Sequence, residues 1–257
     1  MALCRTRPRR GSTGEADSGA GGVHGMGPVH AMMEAGRALN WKVTMTFPQR
    51  LLDGYRAFRQ HRLPAEQARY RALADDGQRP EIMAIGCSDS RVSPEVIFDA
   101  GPGELFVVRN VANLVPPYEE GGGYHGTSAA LEFAVSCLRV EHVIVMGHAR
   151  CGGIRALLGN IRFEGGTGQF ITPWMSIAEE ARREVAATHA AADADVRAAA
   201  CERAAMRVSL GNLTSFPFVR DAVAAGRLQL HGWYFDLDRG ELHGYDAASG
   251  GFELLGG

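Results

Sequence analysis

The sequence predicts an α/β fold, a parallel-rich central sheet flanked by helices, and three observations predict it. Two short apolar runs, Ile82-Met83-Ala84-Ile85-Gly86 and Val143-Ile144-Val145-Met146-Gly147, end in glycine, as strands buried on both faces do. Segments of helical periodicity alternate with such runs along the chain. The residues that carry chemistry, Cys87 and His148, follow directly on the two glycines, and open parallel sheets bind ligands in the crevice outside the carboxyl ends of their strands.

The elements follow in order. Residues 1–27 are rich in Arg, Gly and Ser, lack the apolar centre of a secretory signal, and cannot bury enough surface to fold. Arg5, Arg7, Arg9 and Arg10 suit a transit peptide, whereas Glu15, Asp17 and the glycine density do not. Met45 opens the part of the chain that carries the motifs, so residues 1–44 read as a disordered or mis-assigned extension and 45–257 as one catalytic domain. From Pro48, the side chains Leu51, Leu52, Tyr55 and Phe58 share one face of a helix over 48–61, with proline near its first turn. A helix over 64–75, strands at 81–86 and 104–109, a helix at 126–138 and a strand at 142–147 come next. Helices at 151–158, 174–188, 194–212 and 217–225 lead to a strand at 227–235 and a closing hairpin of 241–245 with 251–255. The alanine-rich stretch 186–205 reads as surface helix, its alanines explained by propensity. Gly165-Gly166-Thr167-Gly168 resembles a phosphate loop only superficially, because the lysine and the preceding strand are missing.

Composition narrows the function. A chain of 257 residues with 46% hydrophobic content can bury one large core. Its 27 basic and 29 acidic side chains give a net charge of −2, without the basic footprint of a nucleic-acid-binding protein. No apolar stretch of about 18 residues exists to span a membrane. Among the five cysteines, Cys4, Cys137 and Cys201 show no framework spacing, which makes a reducing cytoplasm the expected location.

The chemistry rests on Cys87-Ser88-Asp89-Ser90-Arg91 and His148-Ala149-Arg150-Cys151. A His-x-x-Cys pair alone is a weak signal, since single cysteines are mostly small buried apolar residues. Placed after two buried strands, Cys87, His148 and Cys151 form a Cys₂His set, which leaves tetrahedral Zn²⁺ one ligand short and lets a water in that position ionise at about pH 7. Two thiolates make that water less acidic than three histidines would, which favours activity at neutral to alkaline pH. Asp89, two residues past the first thiol, is placed to control the open position. Its i, i+2 spacing from Arg91 suits a charge-assisted pair.

The stretches Cys87-Ser88-Asp89-Ser90-Arg91-Val92, Phe106-Val107-Val108-Arg109-Asn110-Val111-Ala112-Asn113 and Gly147-His148-Ala149-Arg150-Cys151-Gly152-Gly153 resemble a β-class carbonic anhydrase. The similarity runs in register from about Phe47 to Asp236. Val115-Pro116-Pro117-Tyr118 and Leu131-Glu132-Phe133-Ala134-Val135 are similar to the plant-type branch. The resemblance implies a β-carbonic anhydrase fold, a Zn²⁺ cofactor, and reversible hydration of carbon dioxide to bicarbonate and a proton. It implies a dyad in which Arg91 holds Asp89 off the metal and Asp89 accepts the hydrogen of the hydroxide nucleophile. It implies a substrate pocket of Gln78, which would donate a hydrogen bond to substrate oxygen, with Phe106 and Val111 as apolar walls, some supplied by a partner subunit. The Gly152 amide, at a helix start, would favour bicarbonate.

The N-terminal helix is expected to pack across a homodimer or dimer of dimers. Phe133 replaces a common tyrosine and Cys137 a histidine credited with proton transfer, so no shuttle residue is assigned; His125, in a glycine-rich loop, reads either as a substitute or as a merely solvated side chain. Ala84 replaces a tryptophan that one branch needs for a regulatory bicarbonate site, so no such site is expected, and Arg109 reads as structural. Two rival readings are a non-catalytic zinc scaffold or bicarbonate sensor, which leaves Asp89, Arg91 and Gln78 unused, and a hydrolase of carbon disulfide or carbonyl sulfide, which pocket access would distinguish.

Overall fold

A computed structural model describes residues 48–121, 123–159 and 168–256. The extension 1–44 and residues Gly165, Gly166 and Thr167 of the glycine turn lie outside the described residues. The chain divides into two units, one ending at Ala68 and one beginning at Arg69.

In the first unit, α1 (Gln49–Ala57) runs through a π-helical turn (Phe58–Arg62) directly into α2 (Leu63–Asp76), which continues into the second unit. The two helices expected at 48–61 and 64–75 are therefore one run. Pro64 explains the π turn: its ring clashes with the carbonyl four residues back and supplies no donor, and the wider turn accommodates both. Leu51 and Tyr55 of α1 are exposed.

The second unit is built on one sheet. Strands β1 (Ile82–Cys87), β2 (Leu105–Asn110), β3 (His142–His148), β4 (Gln229–Asp236), β5 (Glu241–Asp246) and β6 (Gly251–Leu255) lie in the order β2-β1-β3-β4-β5-β6. The first four pair in parallel, with Ile82 opposite Leu105, Gly86 opposite Met146 and Met146 opposite Trp233. The hairpin of β5 and β6 adds antiparallel strands at one edge, as its turn-rich sequence predicts.

Alternate side chains of the buried strands feed two apolar cores, one on each face. Met83, Ile85, Val143 and Val145 pack with Leu131, Val135, Phe216 and Val219. These come from α4 (Gly126–Glu132), the π-helical turn Phe133–Leu138 that extends it, and α9 (Pro217–Ala224) with its preceding turn. Ile144 and Met146 pack on the opposite face with Ile154, Met175, Ala181 and Val185. Here lie α5 (Gly152–Leu157), α6 (Ile171–Met175), α7 (Glu179–Thr188) and α8 (Ala194–Leu213).

Further features of the second unit differ from expectation. The helix expected at 174–188 starts at Ile171 and is interrupted by a 3₁₀ turn over Ser176–Ala178. A short helix α3 (Pro94–Ile97), with proline in its first turn, and a 3₁₀ turn over Val111–Asn113 were not anticipated. The alanine-rich helix is not a surface helix: Ala198, Cys201, Ala204, Ala205 and Met206 of α8 are buried. Small side chains let α8 lie close against the sheet. Gly232 of β4 completes that approach, since a Cβ there would collide with the Met206 and Leu210 side chains.

Candidate metal centre

Chain order places β2 on one side of β1 and β3 on the other. The crevice between the carboxyl ends of β1 and β3 is therefore the topological switch point of the sheet, where such folds bind ligands. Both strands extend one residue beyond the expected boundary, so Cys87 and His148 are their last residues. Cys151 is the N-cap of α5 three residues later. The left-handed backbone of Arg150, φ 59, turns the chain back toward β1.

The ligand atoms of Cys87, His148 and Cys151 lie within 4.8 Å of one another, and all three residues are buried. His148 Nδ1 lies 2.8 Å from the Ala149 carbonyl. A carbonyl only accepts, so Nδ1 carries the proton and Nε2 presents its lone pair to the cluster. Nε2 is buried without a hydrogen-bond partner. Such an atom is costly unless it binds something, and a soft dithiolate beside a neutral imidazole suits zinc. The residues present fit the expected ion.

The two thiols titrate as a pair. A hydrogen bond from Cys151 lowers the Cys87 thiol to about 4, against burial. The same contact, reinforced by burial, pushes Cys151 up. Burial opposes protonation of His148, but the Cys87 sulfur outweighs it and raises the imidazole pKa. A divalent cation held by these donors would replace the shared proton.

Asp89 and Arg91 form a fork-to-fork pair, with Arg91 Nε 2.9 Å from Oδ1 and Nη2 2.7 Å from Oδ2. The Arg91 amide adds a bond to Oδ1 at 3.0 Å. The hydrogen bonds from Arg91 hold the Asp89 carboxyl well below the usual carboxylate range, against burial. Arg91 Nη2 also donates to the Arg150 carbonyl at 3.2 Å, tying the dyad to the loop that delivers Cys151. Arg109, at the end of β2, donates through Nε to the Cys87 carbonyl at 2.8 Å and through Nη2 to the Asp89 carbonyl. Its guanidinium thus pins the Cys87–Asp89 backbone, in keeping with the structural reading.

The other sequence-expected residues separate into two groups. Val111 and Gly152 lie at the metal end of the sheet: a Cβ on Gly153 would sit 3.0 Å from Val111 Cγ1, and Gly152 faces open space. Trp174 Nε1 donates to the Val111 carbonyl at 2.7 Å and fixes that turn. Gln78 and Phe106 do not join them within one chain. Gln78 is an exposed residue before β1, at the opposite end of the strand from Cys87, roughly 20 Å for a strand of this length. Phe106 faces Met83 near the start of β2 and stacks on Phe133, ring centroids 5.9 Å apart. His125 is exposed.

Sequence reasoning missed Glu202 and Tyr234. Glu202, a buried carboxyl on α8, accepts from the Cys151 amide at 2.8 Å and from the Tyr234 hydroxyl at 2.8 Å. The available signal was one acidic residue four positions from both Ala198 and Met206, on a face otherwise suited to a core.

Fold and site together define an α/β protein with a candidate Cys₂His metal centre at the switch point of a parallel sheet. The profile described as carbonic anhydrase matches residues 82–242. Beta carbonic anhydrase 5, chloroplastic, of Arabidopsis thaliana is 40% identical over 181 residues, 70% of this chain and 59% of the relative. Beta carbonic anhydrase 6, mitochondrial, of the same plant is 41% identical over 181 residues, 70% of this chain and 60% of the relative. The chain thus spans about three-fifths of the length of these curated relatives. Among solved structures, the β-carbonic anhydrase CcaA superposes with a TM-score of 0.74 at 31% identity, covering 80% of this chain and 98% of that one. A tetrameric β-carbonic anhydrase of Sordaria macrospora gives 0.62 at 29% identity, covering 81% and 96%. The chain belongs to the β-carbonic anhydrase family.

Proposed function

We propose that the chain is a zinc enzyme that catalyses reversible hydration of carbon dioxide to bicarbonate and a proton. The observation that carries this reading is the buried Cys87–His148–Cys151 cluster with His148 Nε2 unpartnered beside an ionised, arginine-clamped carboxylate. When bound, Zn²⁺ supplies the Lewis acidity that brings the ionisation of water near neutral pH. Cys87, Cys151 and His148 Nε2 would hold the ion. Asp89, ionised throughout the neutral range, accepts the hydrogen of the attacking oxygen and turns a lone pair toward carbon dioxide, while Arg91 fixes the carboxylate in that orientation. Val111 walls the approach, and the Gly152 amide favours the anionic product. Sensor and scaffold readings leave the Asp89–Arg91 clamp without work.

Gln78 and Phe106 serve the site of a partner copy in this reading, because their own chain places them at the other end of the sheet. A homodimer or dimer of dimers follows, supported by the tetrameric Sordaria relative. The plant-type branch is favoured by Ala84, whose position leaves nothing to pull Asp89 from Arg91. Activity then rises smoothly with pH on one ionisation near or above 7. The wild-type pH–rate curve tests the branch, with an Ala84→Trp variant measured beside it: a steep, cooperative acid loss in the wild type argues against it. A cytoplasmic location is supported by the free, buried Cys87, Cys151 and Cys201. No helix among the described residues is long and apolar enough to cross a membrane.

Stopped-flow measurement of carbon dioxide hydration, with metal analysis of the same sample, tests the proposal. One zinc per chain with turnover that rises with pH is expected; full zinc occupancy with no hydration would overturn it.

A further inference from the structure

Glu202 is a buried ionisable group that the chemistry above does not use. It lies on α8 among Ala198, Cys201, Ala205 and Met206, and is 4% exposed. An apolar side chain would fill that face at less desolvation cost, so the carboxyl needs a purpose in its contacts. Both oxygens are occupied. Oε1 takes the Cys151 amide at 2.8 Å, and Oε2 takes the Tyr234 hydroxyl at 2.8 Å. Tyr234 is itself buried, and its ring carries the Arg203 guanidinium 4.1 Å from the centroid. Burial, first, and the Glu202 charge push the Tyr234 pKa up, so the phenol keeps its proton and serves as donor.

Cys151 is where this matters. Its side chain is a ligand, its backbone begins α5, and the residue before it, Arg150, is in the left-handed region that a non-glycine residue adopts at a cost. A turn under that strain needs an external anchor if the sulfur is to stay within reach of Cys87 and His148. The Cys151 amide finds that anchor on Glu202, 51 positions along the chain.

We propose that Glu202, held by Tyr234, is a positioning residue that anchors the Cys151 backbone and so slows release of the metal. The proposal rests on the metal-centre reading above. Partners of this kind typically change metal affinity or activity by about 10–100-fold when removed.

The test follows zinc release from the purified holoenzyme into excess chelator, beside the thermal unfolding of the same samples. Glu202→Ala is expected to release zinc on the order of 10-fold faster or more. Glu202→Gln, whose amide oxygen still accepts from the Cys151 amide, is expected to restore release to near the wild-type rate. Tyr234→Phe, which keeps the Cys151 bond but frees its anchor, is expected to fall between them. Cobalt-substituted protein adds a readout that fold stability alone does not move: the thiolate-to-cobalt absorption shifts in Glu202→Ala and not in Glu202→Gln. If Glu202→Ala lowers the unfolding temperature but releases zinc at the wild-type rate, Glu202 is only a core residue and the proposal is wrong. Should that variant not fold, Tyr234→Phe decides, and unchanged release from it overturns the proposal. A wild-type protein that binds no zinc defeats the metal-centre reading itself, an outcome distinct from both.

Discussion

Cys151 joins the metal cluster, the first turn of α5 and the Glu202 bond, so it is the residue whose loss is most diagnostic. Cys151→Ser leaves a two-ligand site with a harder, neutral donor. It is expected to lose most of its zinc on dialysis, measured as metal per chain; full retention would remove Cys151 from the ligand set. Asp89 answers a different question, because in the proposed reaction it would contact the reacting oxygen and not the ion. Asp89→Ala is expected to keep zinc and lose carbon dioxide hydration on the order of 100-fold, the scale of a misplaced reacting group. The same residue carries a pH effect on stability. The Asp89 carboxyl is held below its ordinary value by Arg91. The unfolded chain therefore binds this proton at higher pH than the fold does. The pair stabilises the protein above about pH 4, the unfolded value, and that contribution is lost as pH falls through the lower folded value. Urea unfolding from pH 6 down to 3 should show a shallower loss in Asp89→Asn than in the wild type. The Cys₂His set and the Asp89–Arg91 pair were legible because their spacing is local and their chemistry is unusual. Glu202 was not, since 51 positions separate it from the amide it binds.

At the scale of elements, the sheet positions the site and α8 fixes the sheet. The buried parallel strands could be read directly, because continuous apolar runs ending in glycine have few other uses. The helix α8 was misplaced on the surface for an equally physical reason: alanine is both a strong helix former and a small residue for close packing, and composition does not separate the two. Its contact with β4 makes the structural answer testable. Gly232 leaves room for Met206 and Leu210, so Gly232→Val is expected to overpack this interface and cost about 1–3 kcal/mol. Urea denaturation followed by fluorescence would measure it. A shift below 0.5 kcal/mol, the scale of surface substitutions, would show that α8 can move aside.

For the whole molecule, the distribution of candidate substrate residues argues for assembly. One chain keeps Gln78 and Phe106 a strand's length from its own Cys87, while α1 exposes Leu51 and Tyr55. Sedimentation should show a dimer or dimer of dimers, and Leu51→Asp with Tyr55→Asp should shift it toward monomer with parallel loss of hydration. A monodisperse wild-type monomer, active at micromolar concentration, would contradict the assembly and with it the proposed role of Gln78.

By itself the sequence determined the α/β class, the order of the strands, the candidate metal-ligand set and the Asp89–Arg91 pair, because each depends on local periodicity or on short spacings between residues of distinctive chemistry. Only the tertiary structure decided the rest. It placed β1 and β3 side by side so that Cys87, His148 and Cys151 converge, and it turned the alanine face of α8 inward. It paired Glu202 with Cys151 and Tyr234, and it set Gln78 at the far end of its own strand. These are contacts between residues distant along the chain, selected by which faces must be buried together, and no local pattern records that choice.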